Sequence, residues 1–154
     1  MPLSLEESVI RIRDFIVKKE GRYEIVIGSD SEAALRGYAD FVSSIVVRRV
    51  GNGAIYFWTR SRERFYNMRD RIQKETMRSI LLAQECKSLL KEMAGEEILW
   101  DRRVTFTCIH LDVGEIGPTK DLVDTVRGMV KGYGFEPVIK PYSYGAFVVA
   151  DRHT

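Results

Sequence analysis

The tripeptide Gly51-Asn52-Gly53 constrains the fold of this 154-residue chain more than any other feature. β-rich runs flank it, at residues 41–50 and 54–60. Residues that tolerate positive φ are what a tight antiparallel connection between two such runs needs. A third apolar run, Tyr23-Glu24-Ile25-Val26-Ile27, lies upstream. Residues 31–40 between them carry Gly37 and mixed charge, and read as a loop. Three successive strands predict a meander. Its first strand runs into Gly28-Ser29-Asp30-Ser31, which sets a carboxylate at the rim of a core. Burying that charge is costly unless a cation pairs with it. A metal, an Arg or Lys, and water at a turn are the three partners open to Asp30.

Before the meander, Ser4-Leu5-Glu6-Glu7 has the pattern of a capping box. Val9, Ile12 and Ile16 then recur at helical spacing up to Gly21, so residues 1–21 are expected as a flanking helix. After the meander, residues 61–94 read as one long helix. Phe65, Met68, Ile72, Thr76, Ser79, Ala83, Cys86, Leu90 and Met93 form its core-facing stripe, and Gly95 ends it. Glu75 falls roughly 60° from the stripe centre, on the shoulder of the buried face, while Glu85 falls opposite and is expected in water. Glu75 therefore either turns inward, reaches solvent, or pairs with Arg71 one turn away. Arg60, Arg62, Arg64, Arg69, Arg71 and Lys74 crowd the start of this stretch, interrupted by Glu63 and Asp70. They read as a solvated helix face or as phosphate contacts.

Residues 104–112 form a second clear strand, and it too ends on an acid, Asp112. Gly114 and Gly117-Pro118-Thr119-Lys120-Asp121 follow as a turn that carries Lys120 near the end of that strand. Leu122, Val123, Val126, Met129 and Val130 give the next helix its apolar face. Residues 135–140 read as a short strand that Pro141 breaks, and residues 144–150 as a last apolar helix reaching Asp151. The order β-β-β-α-β-α-β-α predicts one α/β domain over residues 1–154. Its mixed five-stranded sheet combines a three-stranded antiparallel meander with two further strands, with helices on both faces and an added N-terminal helix. Ligands in such sheets collect beyond strand ends where the order switches. Asp30 and Asp112 would meet there if strand four returns alongside strand one.

Several chemistries are excluded. Cys86 and Cys108 have no Cys-x-x-Cys spacing, and only His110 and His153 accompany them, which leaves no zinc pattern. The expected state is two buried thiols in a reducing cytoplasm. No apolar run reaches the ~20 residues of a membrane span, and the N-terminus has no signal-peptide pattern. The glycines after Asp112 lack phosphate-loop spacing, which counts against nucleotide binding or phosphotransfer. No Gly-x-Ser-x-Gly elbow exists. A net charge of +2 neither demands nor forbids nucleic acid.

The order of acids on strand one, the long helix, strand four and the final helix resembles the ribonuclease H-like superfamily. More narrowly, the chain is similar to the YkuK-type family of predicted nucleases from about Tyr23 onward. The likeness rests on Ile27-Gly28-Ser29-Asp30-Ser31, Glu75-Thr76-Met77-Arg78-Ser79, His110-Leu111-Asp112-Val113-Gly114, Gly117-Pro118-Thr119-Lys120-Asp121, and Lys140-Pro141-Tyr142-Ser143-Tyr144 through Ala150-Asp151. Residues 32–40 match no motif. The resemblance implies two Mg²⁺ or Mn²⁺ ions held by Asp30, Glu75, Asp112 and Asp151, with Asp30 bridging both. It also implies metal-dependent phosphodiester hydrolysis in RNA, DNA or a hybrid. Lys120 would neutralise a phosphate, and Ser31 and Ser143 would hydrogen-bond ligand oxygens. The alternative is a binding module that keeps the fold without cleaving, and grips nucleic acid through Arg62, Arg64 and Arg71.

Overall fold

The computed structural model describes residues 3–97 and 104–140, with residues 106 and 107 described by backbone alone. The chain runs α1 (Leu5–Lys18), β1 (Tyr23–Ala33), β2 (Tyr38–Arg49), β3 (Ala54–Arg64), α2 (Met68–Ala94) and β4 (Val104–His110). A 3₁₀ turn (Lys120–Leu122), α3 (Val123–Gly132) and β5 (Glu136–Val138) complete it. The five strands form one sheet in the order β3-β2-β1-β4-β5. β1–β2 and β2–β3 are antiparallel; β1–β4 and β4–β5 are parallel. Strand four does return beside strand one, and α2 is the crossover that carries it there.

The first two strands are longer than their apolar runs. β1 continues through Ala33, so Asp30 lies inside a strand paired with Val42 rather than at its end. Hydroxyl pairing makes this possible: Ser29 and Ser43 are opposite each other, and their Oγ atoms are 2.7 Å apart in the core. β3 runs on to Arg64, and α2 starts only at Met68, where the Asn67 side chain caps the Asp70 N–H at 2.8 Å. Arg60, Arg62 and Arg64 therefore project from an edge strand instead of from a helix start. Alternation explains how residues 54–64 stay extended despite their charge.

Strand alternation sends odd residues of β1 toward the helices: Tyr23 meets α1, while Ser29 and Ser31 meet α2. α1, α2 and α3 supply apolar residues to one continuous core with Ile25, Ile27, Ile45, Val47 and Ile109. These described helices form one layer. Residues 141–154, where a last helix with Ser143 and Asp151 was expected, lie outside the described residues.

α1 begins as its capping box predicts, with Ser4 Oγ accepting the Glu7 N–H at 3.2 Å. Arg49 ties down its other end. The guanidinium stacks 4.0 Å from the Phe15 ring, donates to the Phe15 carbonyl at 2.9 Å and to the Tyr23 hydroxyl at 2.9 Å. Stacking and charge-assisted hydrogen bonds together are each worth about 1–2 kcal/mol in a half-buried setting. Arg49→Ala is expected to lower unfolding free energy by about 2 kcal/mol in urea. Arg49→Lys should recover less than half, because an ammonium cannot stack and fork at once. An unchanged urea midpoint would show that Arg49 does not anchor α1.

Candidate functional site

Serines let α2 approach β1 closely. Ser79 Oγ donates to Ser29 Oγ at 2.8 Å, so a buried hydroxyl chain runs Ser79–Ser29–Ser43 from helix to strand. Glu75 sits one turn before Ser79 and is carried against the same strand, only 7% exposed. Of the three positions open to it, Glu75 takes the inward one. Ser31 Oγ donates to Glu75 Oε1. Arg71 does not pair with Glu75 directly; its Nε donates to Ser31 Oγ at 2.6 Å and its Nη2 to the Ser31 carbonyl at 2.7 Å. Arg71, Ser31 and Glu75 thus form a relay in which the serine hydroxyl faces inward on both counts. Ser31 and Arg71 are used to hold Glu75.

Register brings Asp30 and Asp112 to the same end of two neighbouring strands. The last β1–β4 pair is Gly28 with His110, so two residues further along each parallel strand come Asp30 and Asp112. Alternation aims Asp30 away from the helix layer, but its Oδ1 folds back to accept the Ser31 N–H at 2.8 Å. Asp112 lies just past β4, with the Lys140 ammonium 2.8 Å from Oδ1. That oxygen is buried, and the ion pair lacks hydrogen-bond alignment. A narrow crevice, too tight to hold a water, lies between the strands and the helix, where Ser29, Glu75, Ser79, His110 and Asp112 sit among Ile72, Leu111 and Val113.

Burial pushes the Glu75 carboxyl up to about 8, against the Ser31 hydrogen bond that favours its charge. The negative charges of Asp30 and Asp112 push it further the same way, and Arg71 opposes them. Asp30 and Asp112 thus disfavour charge on Glu75, while Arg71 works against them and Lys140 pairs with Asp112. Burial holds His110 down to about 4, so the imidazole is neutral at physiological pH and adds no positive charge. Both thiols are free, with Cys86 buried and Cys108 only half-buried, and they are raised to about 12 and about 11, chiefly by burial.

The donor set suits a hard divalent ion, because it consists of carboxylate oxygens. Glu75 Oε2 has no hydrogen bond among the described residues, and Asp112 Oδ1 has a poorly aligned partner. The acids are not closed around one point, however. Among the described residues no three Asp, Glu, His or Cys side chains are near enough to share an ion. Asp151, the fourth acid, lies outside the described residues, as does Ser143.

The basic residues divide. Arg62 is committed to Asp40 at 2.8 Å, which holds the Asp40 carboxyl below its usual range. Arg64 is exposed, with its guanidinium 5.5 Å from the Tyr38 ring. Lys120 is exposed and opens the 3₁₀ turn in the connection that follows β4. Sequence reasoning missed the roles of Ser29, Ser43 and Ser79. Their only local signal is a run of small hydroxyls at positions where a strand and a helix otherwise carry apolar residues. A roomier cavity of about 300 Å³ lies elsewhere, between the start of α1, β2–β3 and Leu82 of α2. Its acid is the exposed Glu85, so the chemistry favours the crevice.

Among the described residues no helix is long and apolar enough to cross a membrane. No solved structure matches the chain. A curated relative, the uncharacterized protein YkuK of Bacillus subtilis (strain 168), is 31% identical over 164 aligned positions, covering 99% of this chain and 91% of that protein. The family model described as ribonuclease H-like matches residues 7–154. With its central β1 flanked by an antiparallel meander and a parallel β4, the chain belongs to the ribonuclease H-like family.

Proposed function

We propose that this protein is a metal-dependent nuclease that hydrolyses phosphodiester bonds in nucleic acid. The observation that carries the reading is Glu75: a buried carboxyl, fixed by a dedicated Ser31–Arg71 relay and pushed up by burial and two neighbouring acids. Structural acids are seldom placed where they repel one another; functional ones are. Asp30, Glu75 and Asp112 would hold Mg²⁺ or Mn²⁺, with Asp151 as a further ligand. A divalent ion bound there supplies charge that lowers the pKa of a bound water and offsets the charge of the phosphate under attack. The chain's own residues set the geometry. Ser31, held by Arg71, engages Oε1 of Glu75, which would leave Oε2 as the oxygen offered to an ion. Lys120, exposed in the connection that follows β4, would meet a phosphate flanking the scissile bond. A cytoplasmic setting fits the two reduced thiols.

A second reading, a binding module without cleavage, is favoured by one observation: no three donors are gathered among the described residues. Titration with Mn²⁺ separates the two. The nuclease reading expects wild type to bind with sub-millimolar affinity, Asp30→Asn to bind at least ~30-fold more weakly, and cleavage of a labelled oligonucleotide to require the ion. Asp30→Asn binding Mn²⁺ as wild type does, or no cleavage of RNA, DNA or hybrid with the ion bound, would sink it.

A further inference from the structure

β3 is parallel to β1 through two antiparallel pairings, and β4 is parallel to β1 directly. The carboxyl ends of β1, β3 and β4 therefore share one edge of the sheet, the edge toward which Asp30 and Asp112 lie. The four most exposed large apolar side chains among the described residues all lie at that edge: Ile116 at 93%, Tyr66 at 79%, Leu35 at 63% and Met68 at 53%. Leu35 follows β1, Tyr66 and Met68 follow β3, and Ile116 follows β4. The first two loops are joined, because the Phe65 N–H donates to the Gly37 carbonyl at 3.0 Å. Exposed apolar side chains on the loops of one sheet edge, three of them in two joined segments, mark an interaction surface. Arg36 and Arg69 stand in the same two segments, exposed and without an ion pair among the described residues.

We infer that this rim binds unpaired nucleic-acid strands and makes the protein selective for single-stranded over duplex substrate. The inference rests on the nucleic-acid reading above and deepens it by naming the strand state. Apolar and aromatic side chains interleaved with free guanidiniums suit a ligand that offers both flat base faces and phosphates. In a duplex the base faces are stacked away, so Leu35, Tyr66 and Met68 would gain nothing from it. An unpaired strand lying over the crevice sets bases on Tyr66 and its neighbours, and phosphates beside Arg36 and Arg69. Charge complementarity to a polyanion favours this occupant over a second copy of the chain.

The test measures fluorescence anisotropy of a labelled homopolymer single strand and of a hairpin duplex with the full-length protein, in EDTA to prevent turnover. Wild type is expected to bind the single strand at least ~10-fold more tightly than the duplex. Tyr66→Ala should lose about 10-fold for the single strand, with little change for the duplex, while Tyr66→Phe keeps wild-type affinity. Melting temperatures should differ by only a few degrees, since the exposed side chain loses no more than its contact with Lys74. Single-strand binding unchanged in both Tyr66→Ala and Leu35→Ser/Met68→Ser, or a preference for duplex, overturns the inference while leaving the nuclease reading intact. A wild type that binds neither nucleic acid overturns both. A concentration-dependent dimer abolished by Tyr66→Ala would assign the rim to self-association and overturn the inference.

Discussion

In EDTA at pH 8.5, Glu75→Gln is expected to be more stable than the parent protein, by about 2–4 kcal/mol. At pH 4.5 the two should differ little. The sign follows from proton counting. Unfolded, a glutamate loses its proton near pH 4.5; folded, burial first and then Asp30 and Asp112 delay that loss until about 8. Between those values the native state holds a proton that the unfolded chain has released, so stability falls as pH rises through the window and levels off above it. Gln carries no such charge, yet its Oε1 can still accept from Ser31. In melting temperature the gain above pH 8 should be about 5–12 °C. Saturating Mn²⁺ should narrow the gap by stabilising the parent alone. A Glu75→Gln protein that is less stable than the parent at pH 8.5 would refute the account of Glu75 as a strained acid.

Ile80→Ala should cost about 3 kcal/mol, measured by urea unfolding. Ile80 is fully buried on the face of α2 that meets the sheet, so shortening it leaves a cavity as well as losing apolar burial. Its neighbour Leu81 is 49% exposed, and Leu81→Ala should stay within about 0.5 kcal/mol. Equal costs at the two positions would mean that α2 is rotated from the described orientation. Since Glu75 and Ser79 lie on the buried face with Ile80, such a rotation would remove the candidate site as well.

Much of this architecture is legible in the chain, for physical reasons that differ by element. Gly51-Asn52-Gly53 announces its hairpin because positive φ is a local demand; Gly51 and Gly53 both adopt it. The stripe from Ile72 to Leu90 announces α2 because burial is periodic. The start of α2 is misplaced because Arg60-Ser61-Arg62-Glu63-Arg64 is polar on both faces of an edge strand, where alternation leaves no apolar signature. Its true boundary is marked by Asn67, whose side chain caps Asp70. Asp30 looked like a strand end because serines usually leave strands. Here Ser29 stays inside by bonding Ser43 and Ser79, a partner fifty residues away that no local pattern reveals. Glu75 shows the limit from the other side. Spacing set it on the shoulder of the buried face, but only the tertiary position of Ser31 decides that it turns inward.

The parallel pairing of β1 with β4 also orders events in time. β1, β2 and β3 are joined by short connections, so their contacts close small loops. β4 reaches β1 only after α2, at a separation of about eighty residues, where loop closure is slower and costs more entropy. Asp30 therefore belongs to the part of the chain that can organise early, and Asp112 to the part that docks late. A nascent chain that has completed its meander carries Asp30 without Glu75 or Asp112 near it. Activity, if gated by the meeting of those two acids, appears only when the most distant contact in the sheet is made.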